Sequence, residues 1–308
     1  MATTPSPRTP IRRRSDPVPL AVWPAAQTTA QYQRAGRYHP GCAAHPGKML
    51  PDLASRIVAE YSRPGDLVVD PLAGTGTTLV EAALLGRRGI GVELEARWAD
   101  LARVNADHVL GPKDRHLVEV RQGDATKLAA LLGADAGRVD LVCTSPPYAC
   151  DVGNLNVANW GAGRDLCSAA ERNYSADKAN LGHARGPAYE SAMAAIYTAC
   201  LAVLRPGGIL AVVTKNTRRK GRTLDLAGLT VALAEAAGFT YLQHVIALHA
   251  AIRDGDLVAR PSFWQRTQTH KARTRGEPAH LVVHEDVCVF SAGPAQLAPT
   301  TQETAHAH

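Results

Sequence analysis

Cysteine is sparse in this chain of 308 residues: six in all, with no Cys-x-x-Cys pair and no spacing that suits a metal. That argues against a disulfide framework and a zinc ribbon, and reduced thiols in a cytoplasmic protein are the simplest account. No apolar run approaches the roughly 20 residues of a membrane span. The start carries Arg8, Arg12, Arg13 and Arg14 but no continuous apolar stretch leading to a small-residue cleavage site, so no secretory signal is expected. Acids are in the minority, 28 against 34 Lys and Arg. The resulting net charge of +6 and isoelectric point near 9.1 favour an anionic partner.

Two further absences concern the glycine-rich turn. Residues 67–78 read Leu-Val-Val-Asp-Pro-Leu-Ala-Gly-Thr-Gly-Thr-Thr, an apolar strand entering a turn and then a helix from Thr77 to Leu85. A phosphate-binding P-loop would end in Gly-Lys-Ser/Thr, and Thr77-Thr78 stands there instead. A dinucleotide fingerprint needs a third glycine, and Leu79 occupies its place. Gly74 and Gly76 nevertheless let the backbone approach a ligand closely, at the start of a helix with unpaired N–H groups.

Polar residues follow at the ends of the next strands. Arg88-Gly-Ile-Gly-Val-Glu93 is a second strand ending in an acid, the place from which such sheets hold ribose hydroxyls. A third strand, 117–121, leads into Gly123-Asp124, and Asp124 can accept from an adenine amino group. A fourth, Leu141-Val142-Cys143, delivers Thr144-Ser-Pro-Pro-Tyr148. Each proline fixes its own φ, donates no backbone hydrogen bond and holds its predecessor extended. The stiff turn offers the Ser145 hydroxyl and the Pro146 carbonyl as acceptors and the Tyr148 ring as a cover, an arrangement that suits a nucleobase amine. A plain strand end closed by prolines is the alternative, and this motif alone does not separate the two. Cys143, in an apolar strand, reads as core.

Residues 1–37 are expected as a disordered basic arm, 38–292 as the folded domain and 293–308 as a disordered tail. Helices are expected at 53–61, 95–108, 189–204 and 225–237, the third stopped by Arg205-Pro-Gly-Gly208. Strands 241–248 and 286–290 read as a closing antiparallel pair. The fold expected is α/β: a doubly wound, mostly parallel sheet of seven strands with an antiparallel hairpin at one edge. Two segments without evident periodicity, 149–189 and 250–280, are candidates for recognition. The second carries Arg253, Arg260, Arg266, Lys271, Arg273 and Arg275, with Phe263 and Trp264 among them. Read as a structureless loop, it is too long to be a simple connection, and arginines interleaved with aromatics suit a nucleic acid.

In combination these motifs resemble the S-adenosylmethionine-dependent DNA amino-methyltransferases, over roughly residues 38–290. Asp70-Pro-Leu-Ala-Gly-Thr-Gly-Thr-Thr78 looks like that family's cofactor loop and Thr144-Ser-Pro-Pro-Tyr148 like its catalytic motif. His45-Pro-Gly-Lys-Met-Leu-Pro51 is similar to its His-Pro-x-x-Lys/Gln-Pro segment, with the second proline displaced to three residues after Lys48. The resemblance implies a Rossmann-like class I methyltransferase fold and S-adenosylmethionine as cofactor. It implies cofactor contacts from Lys48, Asp70, Leu72, Gly74, Gly76, Thr77, Glu93, Asp124 and Thr144. The catalytic residues it implies are Ser145, Pro146, Pro147 and Tyr148, with no metal. It also implies double-stranded DNA as partner and allows a cognate restriction endonuclease, while the composition of the 250–280 segment makes Arg253, Arg260, Arg266, Lys271 and Arg273 the residues expected to hold the DNA. Ser-Pro-Pro-Tyr is more frequent among the cytosine-N4 enzymes, so cytosine N4 is the expected target. Adenine N6, an RNA base amine and a non-enzymatic DNA-binding role are the alternatives.

Overall fold

The computed structural model describes residues 19–147, 175, 177, 180–219, 221–261 and 263–293. Eight strands form its main sheet: β1 (Val22–Pro24), β2 (Leu67–Asp70), β3 (Arg88–Glu93), β4 (Val118–Gln122), β5 (Val139–Thr144), β6 (Leu204–Thr214), β9 (Phe239–Leu248) and β12 (His284–Ala292). The order across the sheet is β1-β9-β12-β6-β5-β2-β3-β4. β7 (Thr217–Arg219) with β8 (Arg222–Leu224), and β10 (Ala250–Arg253) with β11 (Asp256–Ala259), make two small antiparallel ribbons. The helices are α1 (Ala30–Arg34), α2 (Pro51–Tyr61), α3 (Thr77–Leu84), α4 (Ala96–Val109), α5 (Leu128–Leu132), α6 (Pro187–Val203), α7 (Leu226–Ala236) and α8 (Phe263–Thr274).

Strands buried on both faces read as continuous apolar runs, which is why 67–69 and 209–213 show no polar alternation. Leu210 and Val212 pack with α5, α6 and α7, while Ala211 and Val213 pack with α2, so successive residues of β6 serve opposite layers. α3 lies against β3 because β3 carries glycine there. A Cβ at Gly91 would sit 2.5 Å from a Leu79 methyl and 2.8 Å from the Ala73 Cβ. The chain runs outward from β2 through β3 to β4, then returns to place β5 on the other side of β2. This switch point opens a crevice at the carboxyl ends of β2 and β5, where sheets of this kind take their ligands.

The doubly wound, mostly parallel fold is as expected, and β12 runs antiparallel to both β9 and β6. Two details differ. Val22–Pro24, within the segment expected to be an arm, adds an eighth strand in parallel beside Ile246–Leu248, outside the expected edge pair. Trp23 accounts for this: it is buried in the α2 layer under the Arg56 guanidinium, and three residues give too short a periodicity to read from sequence. The segment 250–280 is not a structureless loop either, since it folds as the β10–β11 ribbon followed by α8.

Candidate active site

Gly74 and Gly76 both adopt left-handed backbone, with φ of +52° and +78°, a region that penalises any Cβ. Each is also tightly approached. A Cβ on Gly74 would meet the His45 ring at 3.3 Å, and one on Gly76 the Ala102 Cβ at 3.2 Å. Three side chains fix the loop from beneath. Glu93, at the end of β3, accepts from the Gly74 N–H at 2.8 Å and the Glu95 N–H at 3.0 Å. Asp70, at the end of β2, accepts from the Thr78 hydroxyl at 2.7 Å and the Leu72 N–H at 3.1 Å. Asn105, fully buried in α4, donates to the Thr75 carbonyl at 3.0 Å.

The expected ribose acceptor therefore also braces the loop. Burial pushes the Glu93 carboxyl up to about 7, against the opposing effect of its two N–H donors, and burial pushes Asp70 up to about 6. A carboxyl whose folded pKa lies above its unfolded one supports the fold while neutral and weakens it as pH rises through the folded value. Between pH 4.5 and about 7 the unfolded chain releases this proton first. At about 1.4 kcal/mol per pKa unit, Glu93 should cost the folded protein up to roughly 3 kcal/mol across that window. Urea midpoints of the cofactor-free protein and of Glu93→Gln, measured from pH 4.5 to 7, should therefore diverge in favour of the variant. Parallel curves would show that Glu93 does not carry the titration.

Residues 34–50 cover the loop from the other side. His45 packs edge-on against Trp98, with ring centroids 4.7 Å apart, and burial lowers its pKa to about 3, so it stands there neutral. Lys48, expected at the cofactor, donates to the carbonyls of Ala43 and His45 and is lowered to about 8 by burial. Arg34 lay in the expected arm and was not legible as a site residue. Its Nη2 donates to the Met49 carbonyl at 2.5 Å and the Thr77 hydroxyl at 3.1 Å, and its guanidinium lies 4.7 Å from the Tyr38 ring centre. Its Nη1 is buried with no hydrogen-bond partner among the described residues. Tyr38 and Arg37 both bond Glu81, a buried acid inside α3, locking this cover onto the helix.

Across the crevice, β5 delivers Thr144, fully buried, and then Ser145 half-buried, Pro146 buried and Pro147 half-buried. The Pro147 carbonyl accepts from the Tyr189 hydroxyl at 2.8 Å, which fixes the turn from the first helical turn of α6. Sequence reasoning missed Tyr189, since a tyrosine near a helix start carries no signature. Tyr148 and most of 149–189 lie outside the described residues. Where that segment returns, Ser175 and Asn180 both donate to Glu95, two residues beyond Glu93. Asp124 is exposed and caps a short 3-10 turn through the Thr126 N–H at 2.9 Å. Leu72 and Thr77 lie in the glycine loop and at the start of α3, so the structure brings the expected cofactor residues to one crevice, with Lys48 tied to backbone at its rim.

The expected DNA-contacting residues divide. Arg253 is engaged with Gln27, at 2.8 Å to its side chain and 2.7 Å to its carbonyl. Arg273 donates to the Ala279 carbonyl at 3.1 Å, though it remains exposed. Arg266 and Lys271 are exposed on α8, and Arg260 is half-buried before it.

A family model described as DNA methylase matches residues 4–104. A type II methyltransferase, M.MthZI of Methanothermobacter thermautotrophicus, is 48% identical over 56 residues, 18% of this chain and 16% of that protein. Both are likenesses to DNA methyltransferases over part of this chain. A tRNA (guanine(10)-N2)-dimethyltransferase of Methanocaldococcus jannaschii is 34% identical over 120 residues, 38% of this chain and 34% of that one. The chain thus spans about a third or less of the length of these relatives. Among solved structures, TrmN from Thermus thermophilus aligns at a TM-score of 0.44, with 19% identity over 82% of this chain and 51% of that one. Among the described residues no helix is long and apolar enough to cross a membrane.

The cofactor that these likenesses imply is S-adenosylmethionine, and the crevice fits it in kind. A left-handed glycine turn gives backbone access at the start of α3, a buried acid ends β3, and the orphaned Nη1 of Arg34 marks a place for an anionic group.

Proposed function

We propose that this chain transfers the methyl group of S-adenosylmethionine to the exocyclic amine of a nucleobase, cytosine N4 of double-stranded DNA in the first instance. The observation that carries this reading is the Ser145-Pro146 turn at the end of β5, across the switch point from the glycine loop that ends β2. Bound there, the cofactor supplies an electrophilic methyl group on a sulfonium. Gly74, Gly76, Thr77, Glu93 and Asp124 would hold it, with Arg34 at the α3 end.

The protein's own task is to make the amine a nucleophile. Its lone pair is delocalised into the ring, so the nitrogen is planar and poorly reactive. Ser145 Oγ and the Pro146 carbonyl accept its two N–H bonds, which favours a tetrahedral nitrogen with its lone pair aimed at the methyl. With the cofactor bound, the methyl would pass from sulfur to this nitrogen, leaving a neutral thioether, and the nitrogen's surplus proton would go to water. Rate comes from positioning and from acceptors fixed in advance. The base must first leave the duplex, at a cost of a few kcal/mol, and Tyr148, expected to stack on it, would return part of that.

A second reading, an RNA guanine N2 amine, is favoured by the 34% identity to the archaeal tRNA dimethyltransferase. Digestion of unmodified genomic DNA and bulk tRNA after incubation with labelled cofactor, followed by mass analysis of nucleosides, separates the two. N4-methylcytosine from DNA is expected. N2-methylguanosine from tRNA would move the assignment to the second reading, and label in neither would overturn amine transfer.

The nucleic-acid grip is assigned to α8 and the residues leading into it. Replacing Arg266, Lys271 and Arg273 with alanine should weaken DNA binding and reduce the slope of log K against log salt by about two, since each phosphate contact contributes roughly 0.9 and Arg273 is partly occupied by Ala279. Cofactor affinity should be unchanged. A triple variant with the parent's slope would move recognition to 149–189.

A further inference from the structure

Lys215 is only 5% exposed, and among the described residues its ammonium forms no hydrogen bond or ion pair, the nitrogen keeping a little contact with solvent. It follows the last residue of β6, the strand next to catalytic β5. Thr144 pairs with Val212 and Asp286 with Thr214, so Lys215 lies at the carboxyl end of the sheet, just past the level at which the Ser145 turn leaves it. Alternation along the strand puts it on the face of Val213 and Val287, the face on which Met49 and Leu50 pack. It thus stands between the catalytic turn and the segment that covers the glycine loop.

Its charged neighbours are both on β12. Glu285 is its cross-strand neighbour by continuation of the register, and Asp286 is next along. Both attract the ammonium, but neither comes within ion-pair distance, and Glu285 is paired with His249 at 3.0 Å. Burial lowers the lysine's pKa against those two attractions. A lysine so enclosed has lost much of its hydration, and at the carboxyl end of the sheet a ligand can supply the acceptor that the protein does not.

We infer that Lys215 donates a hydrogen bond to a ring-edge acceptor of the target base, beside the amine held by Ser145 and Pro146. The inference rests on the amine-transfer reading. Cytosine presents a ring nitrogen and a carbonyl on the edge that carries its amine. A cation on that edge withdraws density from the amine, so the contact serves recognition of the base and does not drive transfer. The expected signature of Lys215→Met is a rise in KM for the nucleic acid with kcat and cofactor affinity held.

The deciding experiment uses the full chain and a duplex containing the site mapped from its own methylated product. A second duplex is identical except that the target nucleotide is abasic. Lys215→Met should bind the intact duplex about tenfold more weakly than the parent, in the range for a hydrogen bond to a charged group, and the abasic duplex equally well. Equal loss on both duplexes would assign the lysine to a phosphate and overturn the base contact. No loss on either would overturn it as well. If the methionine variant loses cofactor binding and so has lost its fold, Lys215→Gln on the same pair of duplexes decides. A parent protein that methylates neither DNA nor RNA would sink the amine-transfer reading itself, a result distinct from an active parent indifferent to Lys215.

Discussion

Gly74→Asp should abolish measurable S-adenosylmethionine binding, a loss of at least a hundredfold by titration calorimetry, while leaving a folded protein. Three effects act together. The residue sits at φ +52°, where any Cβ is strained by about 1–2 kcal/mol. That Cβ would stand 3.3 Å from the buried His45 ring, so the ring or the loop must yield by a few tenths of an ångström. The new carboxylate would lie beside Glu93, which receives this residue's N–H and is already pushed up by burial and by the Asp70 and Glu95 charges. A second acid there raises the cost of ionising either. Gly74→Ala separates strain from charge: it keeps the first two effects and should cost about tenfold in affinity. Parent-like affinity in the aspartate variant would show that the loop does not meet the cofactor.

Much of this crevice could be read from the chain because its parts are local. A strand, a glycine turn and a helix adjoin within 67–84, and the Ser145-Pro-Pro turn follows its strand directly, so each announces itself by composition. What could not be read depends on contacts between distant segments. Arg34 reaches Thr77 across 43 residues and Tyr189 reaches Pro147 across 42, and neither residue type carries a pattern that points to its partner. Glu93 was legible as an acid at a strand end, but its bond to the Gly74 N–H depends on how the loop folds back over β3. The ribbon and helix within 250–280 were hidden for another reason. The four-residue strands β10 and β11 offer too few periods to read, and α8 is polar around most of its surface, with Ala272 its one fully buried residue among those described.

Ser145→Ala should lower turnover by about a hundredfold or more while S-adenosylmethionine affinity stays within twofold. On the proposed mechanism the serine hydroxyl is one of two acceptors that set the geometry of the attacking nitrogen. Removing one prearranged hydrogen-bonding group from a reacting centre typically costs 10²–10³ in rate. The remaining acceptor, the Pro146 carbonyl, is backbone and survives the substitution. Its direction depends on the turn, which the Tyr189 hydroxyl holds at 2.8 Å from the Pro147 carbonyl. Tyr189→Phe should therefore cost about tenfold in kcat, through misplacement of reacting groups by a fraction of an ångström, with KM for the nucleic acid unchanged. The phenylalanine keeps the buried ring and its packing in the α6 layer, so melting temperature should move little. The double variant distinguishes a positioning role from a general loss of stability. If Tyr189 acts by aiming the turn that carries Ser145, then once the hydroxyl of Ser145 is gone the turn has less to aim. Ser145→Ala with Tyr189→Phe should fall short of the product of the single losses by a factor of several, an interaction of about 1 kcal/mol of the size found for residues in one network. Strictly multiplicative losses would mean that the tyrosine supports the fold and not the catalytic turn.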